Sequence, residues 1–274
     1  MELDTRSIPT PLGHLHVQVG PANGPVMLFW PSLLMSGDMW LGQAAHHAAD
    51  HQVVLIDPPG QGRSQALQNG FDFPACVLSA LAVLDAVETT PGQAVFVGNS
   101  WGGMMGGTLA AMAPERLRAA VLMNCTGSPV GWRQRLEFLV LSTIIQRAGR
   151  IPRPLERVAI DAFVGPTTRR DRPQVIQQIR DELRGVDGQS VHWAIRSVVP
   201  ERPDQLATLS TIRIPVLVVA GAEDATFPIA ETRRMADVIP GARFEVLDGI
   251  AHLAGLEDPR RVATLVNDFL KLTI

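Results

Sequence analysis

Tyrosine is absent from this 274-residue chain, lysine occurs once (Lys271), and aromatic residues make up only 5% of it. Cysteine is almost as scarce. Cys76 and Cys125 are too few for a disulfide framework, and thiols beside apolar runs serve packing. Charged residues reach 19% against 46% hydrophobic, a balance that excludes an intrinsically disordered chain. The net charge of −3 offers nothing to a nucleic-acid backbone. No apolar run reaches the length of a membrane span. The opening Met1-Glu2-Leu3-Asp4 lacks the basic and apolar regions of a signal peptide, so a soluble cytoplasmic protein with a small-molecule partner is expected. The seven histidines are scattered, and the neighbours His46 and His47 would diverge on a helix, so no metal site is expected.

What is present is a regular alternation of short apolar runs and helical patterns. Runs at 14–19, 26–30, 53–56, 94–97, 119–123, 216–220 and 244–247 read as strands, the first two pairing through the turn at 20–24. Val77, Leu78, Leu81, Leu84 and Val87 form a helical stripe, and further helices are predicted near 229–238 and 259–272. Continuous apolar strands alternating with helices predict an α/β fold, a mainly parallel sheet covered by helices on both faces. The length suits one large core.

Residues 127–206 break the rhythm with several prolines, helical patterns such as Leu136-Leu139-Val140-Ile144 and Val175-Ile176-Ile179-Leu183, and no convincing strand. They read as a helical cap inserted into a core formed by 1–126 and 207–274. Between Thr126 and Asp204 thirteen arginines stand against nine acids, leaving this stretch about +4 and the remainder about −7. Steering of an anionic substrate and plain solvation both fit that asymmetry.

Ser100 lies in Gly98-Asn99-Ser100-Trp101-Gly102, after the apolar run 94–97 and before a small-residue helical segment. Strand, G-x-S-x-G, helix is the context in which a sharp turn lifts a serine hydroxyl to the sheet edge, with the helix N-terminus aimed at whatever binds there. Serine is a weak nucleophile at neutral pH and needs a base, which in turn needs a carboxylate to orient it. Asp224 follows the run 216–220, and His252 follows 244–247. All three residues follow strand ends, where ligands of such sheets bind. Glu223 competes for the acid role; the sixth strand ends Met123-Asn124-Cys125-Thr126 with no carboxylate.

Serine, acid and histidine in that order, with Asp57-Pro58-Pro59-Gly60-Gln61-Gly62-Arg63-Ser64, Ala113-Pro114-Glu115-Arg116-Leu117 and Gly221-Ala222-Glu223-Asp224-Ala225-Thr226-Phe227-Pro228, resemble the α/β-hydrolase superfamily over nearly the whole chain. Within it, Phe29-Trp30-Pro31-Ser32-Leu33-Leu34-Met35-Ser36-Gly37-Asp38-Met39-Trp40 is similar to the corresponding loop of 3-oxoadipate enol-lactonases. The loop departs from them in lacking the usual His-Gly and in placing Leu34 where glycine is common.

The resemblance implies a cofactor-free serine hydrolase of an ester or lactone, with Ser100, Asp224 and His252 as its triad. The oxyanion donors would be the amides of Trp101 and Leu33, with Ser32 as the alternate and Pro31 excluded for want of an N–H. Trp30, Ser32, Leu34, Met35 and Trp101, with His192 and Trp193 from the cap, would contact a largely apolar substrate. Asp57 would order the 60–62 turn. Absent tyrosine speaks against the epoxide-hydrolase branch, and Ser100 excludes the dehalogenase branch. Two alternatives remain: carbon–carbon hydrolysis of a β-diketone-like product, and a small-molecule receptor on the same fold.

Overall fold

The computed structural model describes residues 2–90 and 92–273. Met1, Pro91 and Ile274, which the expected core segments include, lie outside the described residues. Eight strands form one sheet: β1 (Asp4–Thr10), β2 (Gly13–Val19), β3 (Val26–Trp30), β4 (Gln52–Ile56), β5 (Ala94–Asn99), β6 (Leu117–Met123), β7 (Val216–Gly221) and β8 (Arg243–Leu247). Their spatial order is β1-β2-β4-β3-β5-β6-β7-β8. The pairs β1/β2 and β2/β4 are antiparallel and every other pair is parallel. The expected β2/β3 hairpin is therefore not formed: β4 lies between them, because the chain crosses over through α1 (Leu41–His47) before returning to the sheet. On its other side β2 pairs with β1, a polar edge strand in which only Ile8 is buried.

The remaining helices before and after the middle of the chain are α2 (Phe73–Ala86), α3 (Trp101–Met112), α10 (Ile229–Val238), α11 (Ala254–Glu257) and α12 (Pro259–Thr273). Strand alternation divides the buried residues into two layers. Leu28, Phe96 and Leu122 join Val77, Leu109 and Met235 of α2, α3 and α10 on one face. Phe29, Val97 and Val121 join Ala44 and Val262 of α1 and α12 on the other.

Between β6 and β7 the chain is helical: α4 (Trp132–Ala148), α5 (Arg153–Phe163), α6 (Pro166–Asp171), α7 (Pro173–Gly185), α8 (Gly188–Val198) and the short α9 (Leu206–Leu209). Most buried apolar residues of this segment, among them Ile145, Ile160, Ile179 and Ile195, belong to the same cluster as the α1/α12 face of the sheet, while Val198 and Leu209 join the other. The segment is thereby packed against the ends of the strands from which Ser100, Asp224 and His252 follow.

Candidate active site

Ser100 joins β5 to α3 with φ 55° and ψ −111°, a sparsely populated conformation that costs a non-glycine residue roughly 1–3 kcal/mol. Surrounding contacts over-determine the turn. Ser100 N donates to Met123 O at 2.8 Å, and Gly102 N to Pro31 O at 3.2 Å. A Cβ at Gly98 would overlap the Gly102 backbone, and one at Gly102 would overlap the Trp30 carbonyl. Both flanking glycines of the motif are thus required by close approach of backbone. The approach brings the start of α3 against the 30–35 loop. The N–H groups of Trp101 and Leu33 donate to no acceptor among the described residues. Leu34 has φ 70°, the left-handed conformation glycine adopts freely, at the position where the similar loops carry glycine.

Beyond β7, the Asp224 carboxylate accepts from four donor groups. Thr226 N lies 2.8 Å and Phe227 N 3.1 Å from Oδ1, and Asn124 Nδ2 lies 3.1 Å from Oδ2. His252 Nδ1 reaches the two carboxylate oxygens at 3.1 and 2.9 Å. A carboxylate only accepts, so Nδ1 carries the proton and Nε2 keeps its lone pair. The imidazole lies between Phe163, stacked at 5.5 Å, and Phe227, tilted at 5.7 Å. Two buried asparagines at strand ends brace the loop. Asn99 Nδ2 donates to Ser32 Oγ and to His252 O, both at 2.8 Å, and Asn124 Nδ2 donates to Ala251 O at 2.8 Å.

Two further carboxylates tie this region to α6. Glu223 accepts from Thr167 N at 2.9 Å and Thr167 Oγ1 at 2.6 Å, so it faces the helical segment and not the imidazole. Glu257 accepts from Ala251 N and Leu253 N, on either side of His252, and from Thr168 Oγ1. Burial pushes its carboxyl above the usual range. Asp57 accepts from Gly37 N and Arg63 N, both at 2.8 Å, and so joins the 36–37 loop to the 60–63 turn.

A cavity of about 340 Å³ is lined by both Ser100 and His252. Leu33, Leu34 and Met104 form its floor beside the serine, while Phe138, Leu141 and Ile145 of α4 and Phe163 of α5 form its wall. Among the described residues no hydrogen bond joins Ser100 Oγ to His252, although both side chains face this space. A larger cleft of about 820 Å³ beside α7 is lined by neither residue; the Ser36 hydroxyl on its wall donates to Glu182 at 2.6 Å, with no histidine in the lining.

Comparison with known proteins agrees with that architecture. Residues 25–259 match the family model of the alpha/beta hydrolase fold. The chain belongs to the α/β-hydrolase fold family. It is 26% identical over 255 residues to 3-oxoadipate enol-lactonase 2 of Acinetobacter baylyi, covering 92% of this chain and 91% of the relative. A thermophilic esterase from Thermogutta terrifontis superposes with a TM-score of 0.89 at 23% identity, covering 100% of this chain and 99% of that one. The enol-lactonase from Burkholderia xenovorans LB400 superposes with 0.84 at 24% identity, covering 94% and 96%.

In this α/β hydrolase, several residues expected at the substrate lie elsewhere. The Trp101 indole stacks on Phe71 at 5.3 Å and meets the edge of Trp30 at 5.7 Å, and both tryptophans are fully buried. Trp101, Met105 and Leu109 recur every four residues, so they share the face of α3 that packs into the core. Met35 is buried in the opposite layer, and the Ser32 hydroxyl is engaged by Asn99. His192 and Trp193 pack edge to face at 4.9 Å on α8 and do not line the cavity. Of the expected substrate contacts, only Leu34 does so. The wall comes from α4, α5 and α8 instead. No helix among the described residues is long and apolar enough to cross a membrane. Among the same residues no group of three or more His, Cys, Asp or Glu side chains is placed to hold a metal ion.

Proposed function

We propose that this hydrolase cleaves a carboxylic ester or lactone through an acyl-enzyme on Ser100. The observation that carries the reading is the convergence on one apolar chamber of a serine on a strained strand-to-helix turn and a histidine held by a buried carboxylate. Ser100 Oγ attacks the carbonyl carbon while His252 Nε2 takes its proton. The amides of Trp101 and Leu33 receive the charge that develops on the carbonyl oxygen. The C–O bond to the leaving alkoxide then breaks, and His252 returns the proton to it. Water, deprotonated by the same imidazole, attacks the acyl carbon and releases Ser100. Asp224 holds the ring in the required tautomer and stabilises the imidazolium.

Residues 127–206 act as a cap that supplies the apolar wall and excludes bulk water from the acyl-enzyme. A lactone leaves its alkoxide tethered to the acyl group, so the cap must also hold that end away until water arrives. The 26% identity to an enol-lactonase supports including lactones beside open esters.

Reaction with a fluorophosphonate, followed by mass spectrometry, tests the mechanism. Wild type takes one label, on Ser100, and an activated ester gives a stoichiometric burst if deacylation is the slower step. The His252→Ala variant, still folded by circular dichroism, loses the label because the hydroxyl stays protonated. Labelling at another residue, or undiminished labelling of His252→Ala, overturns the assignment.

A further inference from the structure

The chamber over Ser100 is largely apolar, with Gln134, Thr226, His252 and Arg202 as its polar lining beside the serine. Among the described residues that line it, Arg202 alone carries a permanent charge. It follows α8 in the chain and is half-buried. Its guanidinium lies 5.7 Å from the Phe227 ring, whose other neighbour is the His252 imidazole at 5.7 Å. The cation is thus one aromatic ring away from the catalytic base.

Among the described residues Arg202 has no ion-pair partner. Nε donates to Ser128 O at 2.9 Å, and the remaining N–H groups have no acceptor among the described residues. Glu231, the acid whose charge acts on it, accepts from Thr126 Oγ1 at 3.3 Å and forms no ion pair with the guanidinium. Burial lowers the Arg202 pKa to about 10, so the group is charged at neutral pH. A partly desolvated cation without a partner is unfavourable, and an incoming anion relieves that cost by forming charge-assisted bonds in a site of low polarity.

The other arginines of the segment behave differently. Arg169, Arg170, Arg172, Arg180, Arg184 and Arg196 pair with acids close by, and Arg133, Arg135, Arg147, Arg150, Arg153 and Arg157 are exposed to solvent. Net positive charge in the helical segment is therefore largely a surface property, and Arg202 is the cation turned to the chamber. Arg202 and Gln134 also line an adjoining surface pocket of about 450 Å³. Both mark the place where chamber and surface meet, so a group anchored there belongs to the end of a substrate remote from the scissile carbonyl.

We propose that Arg202 anchors a substrate carboxylate, so that this hydrolase prefers acyl groups ending in a carboxylate on an apolar spacer to neutral acyl groups of the same length. The inference rests on the acyl-serine reading above. It adds a polarity to the chamber: carbonyl at Ser100, apolar spacer along α4 and α5, carboxylate at Arg202.

Matched activated esters test it. Mono-p-nitrophenyl glutarate and p-nitrophenyl pentanoate differ in the terminal carboxylate, and their kcat/KM ratio is the readout. Wild type is expected to favour the glutarate monoester by about tenfold or more. Arg202→Gln brings the ratio to about one, mainly through KM, and Arg202→Lys retains part of it because the charge remains while the planar fork is lost. A wild-type ratio near one, or a ratio that survives Arg202→Gln, overturns the proposal. If Arg202→Gln fails to fold, Arg202→Lys and competition by free glutarate against pentanoate hydrolysis in wild type decide; competition no better than that of neutral glutaramide counts against Arg202. Should neither ester turn over, the acyl-serine reading fails on its own. Calorimetric binding of glutarate to wild type, lost on substitution of Arg202, then still discriminates for or against the anion site.

Discussion

Phe163 and His252 stack with ring centroids 5.5 Å apart and planes inclined by 8°, and His252 N donates to the Phe163 carbonyl at 3.2 Å. Phe163 ends α5, so the helical segment helps to position the His252 imidazole. The following helix reinforces the link, since Thr167 and Thr168 bond to Glu223 and Glu257 beside Asp224 and His252. The helical segment and the Asp224–His252 pair are joined through short-range contacts on both sides of the imidazole.

Replacing Phe163 by alanine removes the ring and keeps the main-chain bond. Stability is expected to fall by about 3 kcal/mol, as for other buried aromatic-to-alanine changes. Phe163→Leu, which refills much of the volume without a flat face, is expected to recover most of that stability while kcat/KM stays about tenfold down. Urea unfolding and steady-state kinetics on the two variants check the separation. Equal recovery of both properties would reduce Phe163 to a space-filling residue.

The two neighbouring acids after β7 are expected to differ sharply. Asp224→Asn leaves one acceptor oxygen, which the Thr226 and Phe227 amides claim, and turns an NH2 donor toward Nδ1; this admits the wrong tautomer, at a cost of roughly 10⁴ in kcat. Glu223→Gln keeps an acceptor for Thr167 and touches no part of the imidazole, so its effect is expected to stay below about tenfold. Single-turnover rates with an activated ester measure both. The opposite ranking would transfer the orienting role to Glu223.

His47 of α1 provides a pH-dependent stability. It is 2% exposed, and burial together with the neighbouring His51 and His46 holds its pKa down at about 4. The unfolded chain, with an ordinary histidine pKa near 6.5, takes up the proton first as pH falls. Stability is therefore full above about pH 6.5 and declines towards pH 4, by up to about 3 kcal/mol from this residue. His16 and His51 are shifted in the same direction, whereas the raised Glu182 and Glu257 act oppositely, losing stability as pH rises. Unfolding free energies at pH 5 and pH 7.5 are expected to differ less in His47→Gln than in wild type. An unchanged difference would remove His47 from the acid response.

Much of this architecture is legible in the linear chain because it is local or periodic. The apolar runs that became β3 to β7 are continuous since both of their faces are buried, and the elbow glycines announce a turn that a Cβ would block. Serine, acid and histidine each follow a strand, so their common edge follows from the parallel alternation. Residues 127–206 interrupt that alternation, so their helical nature was equally readable. The strand β1 was not, because a polar edge strand with one buried residue has no apolar run to betray it; nor was the insertion of β4 between β2 and β3, which displaced the expected hairpin.

The wall of the site depended on relationships that sequence distance does not encode. Trp101 adjoins the serine in the chain, yet helical geometry turns its side chain into the core with Met105 and Leu109. Asn99 and Asn124 read as ordinary polar residues after apolar strands; only the meeting of β5, β6 and the 251–252 loop gives them acceptors. The stripe Leu136, Val140 and Ile144 correctly indicated a helix but lies exposed, while Phe138, Leu141 and Ile145 of the same helix line the chamber. Period alone distinguishes the faces of a helix without saying which of them meets a neighbour. Arg202 was one arginine among thirteen until packing left the others in or near solvent and set this one, with no ion-pair partner among the described residues, against Phe227 at the chamber's edge. Covalent order and periodicity determined the elements and the chemistry of the triad; long-range packing, which fixes the direction of each side chain, decided what that chemistry faces.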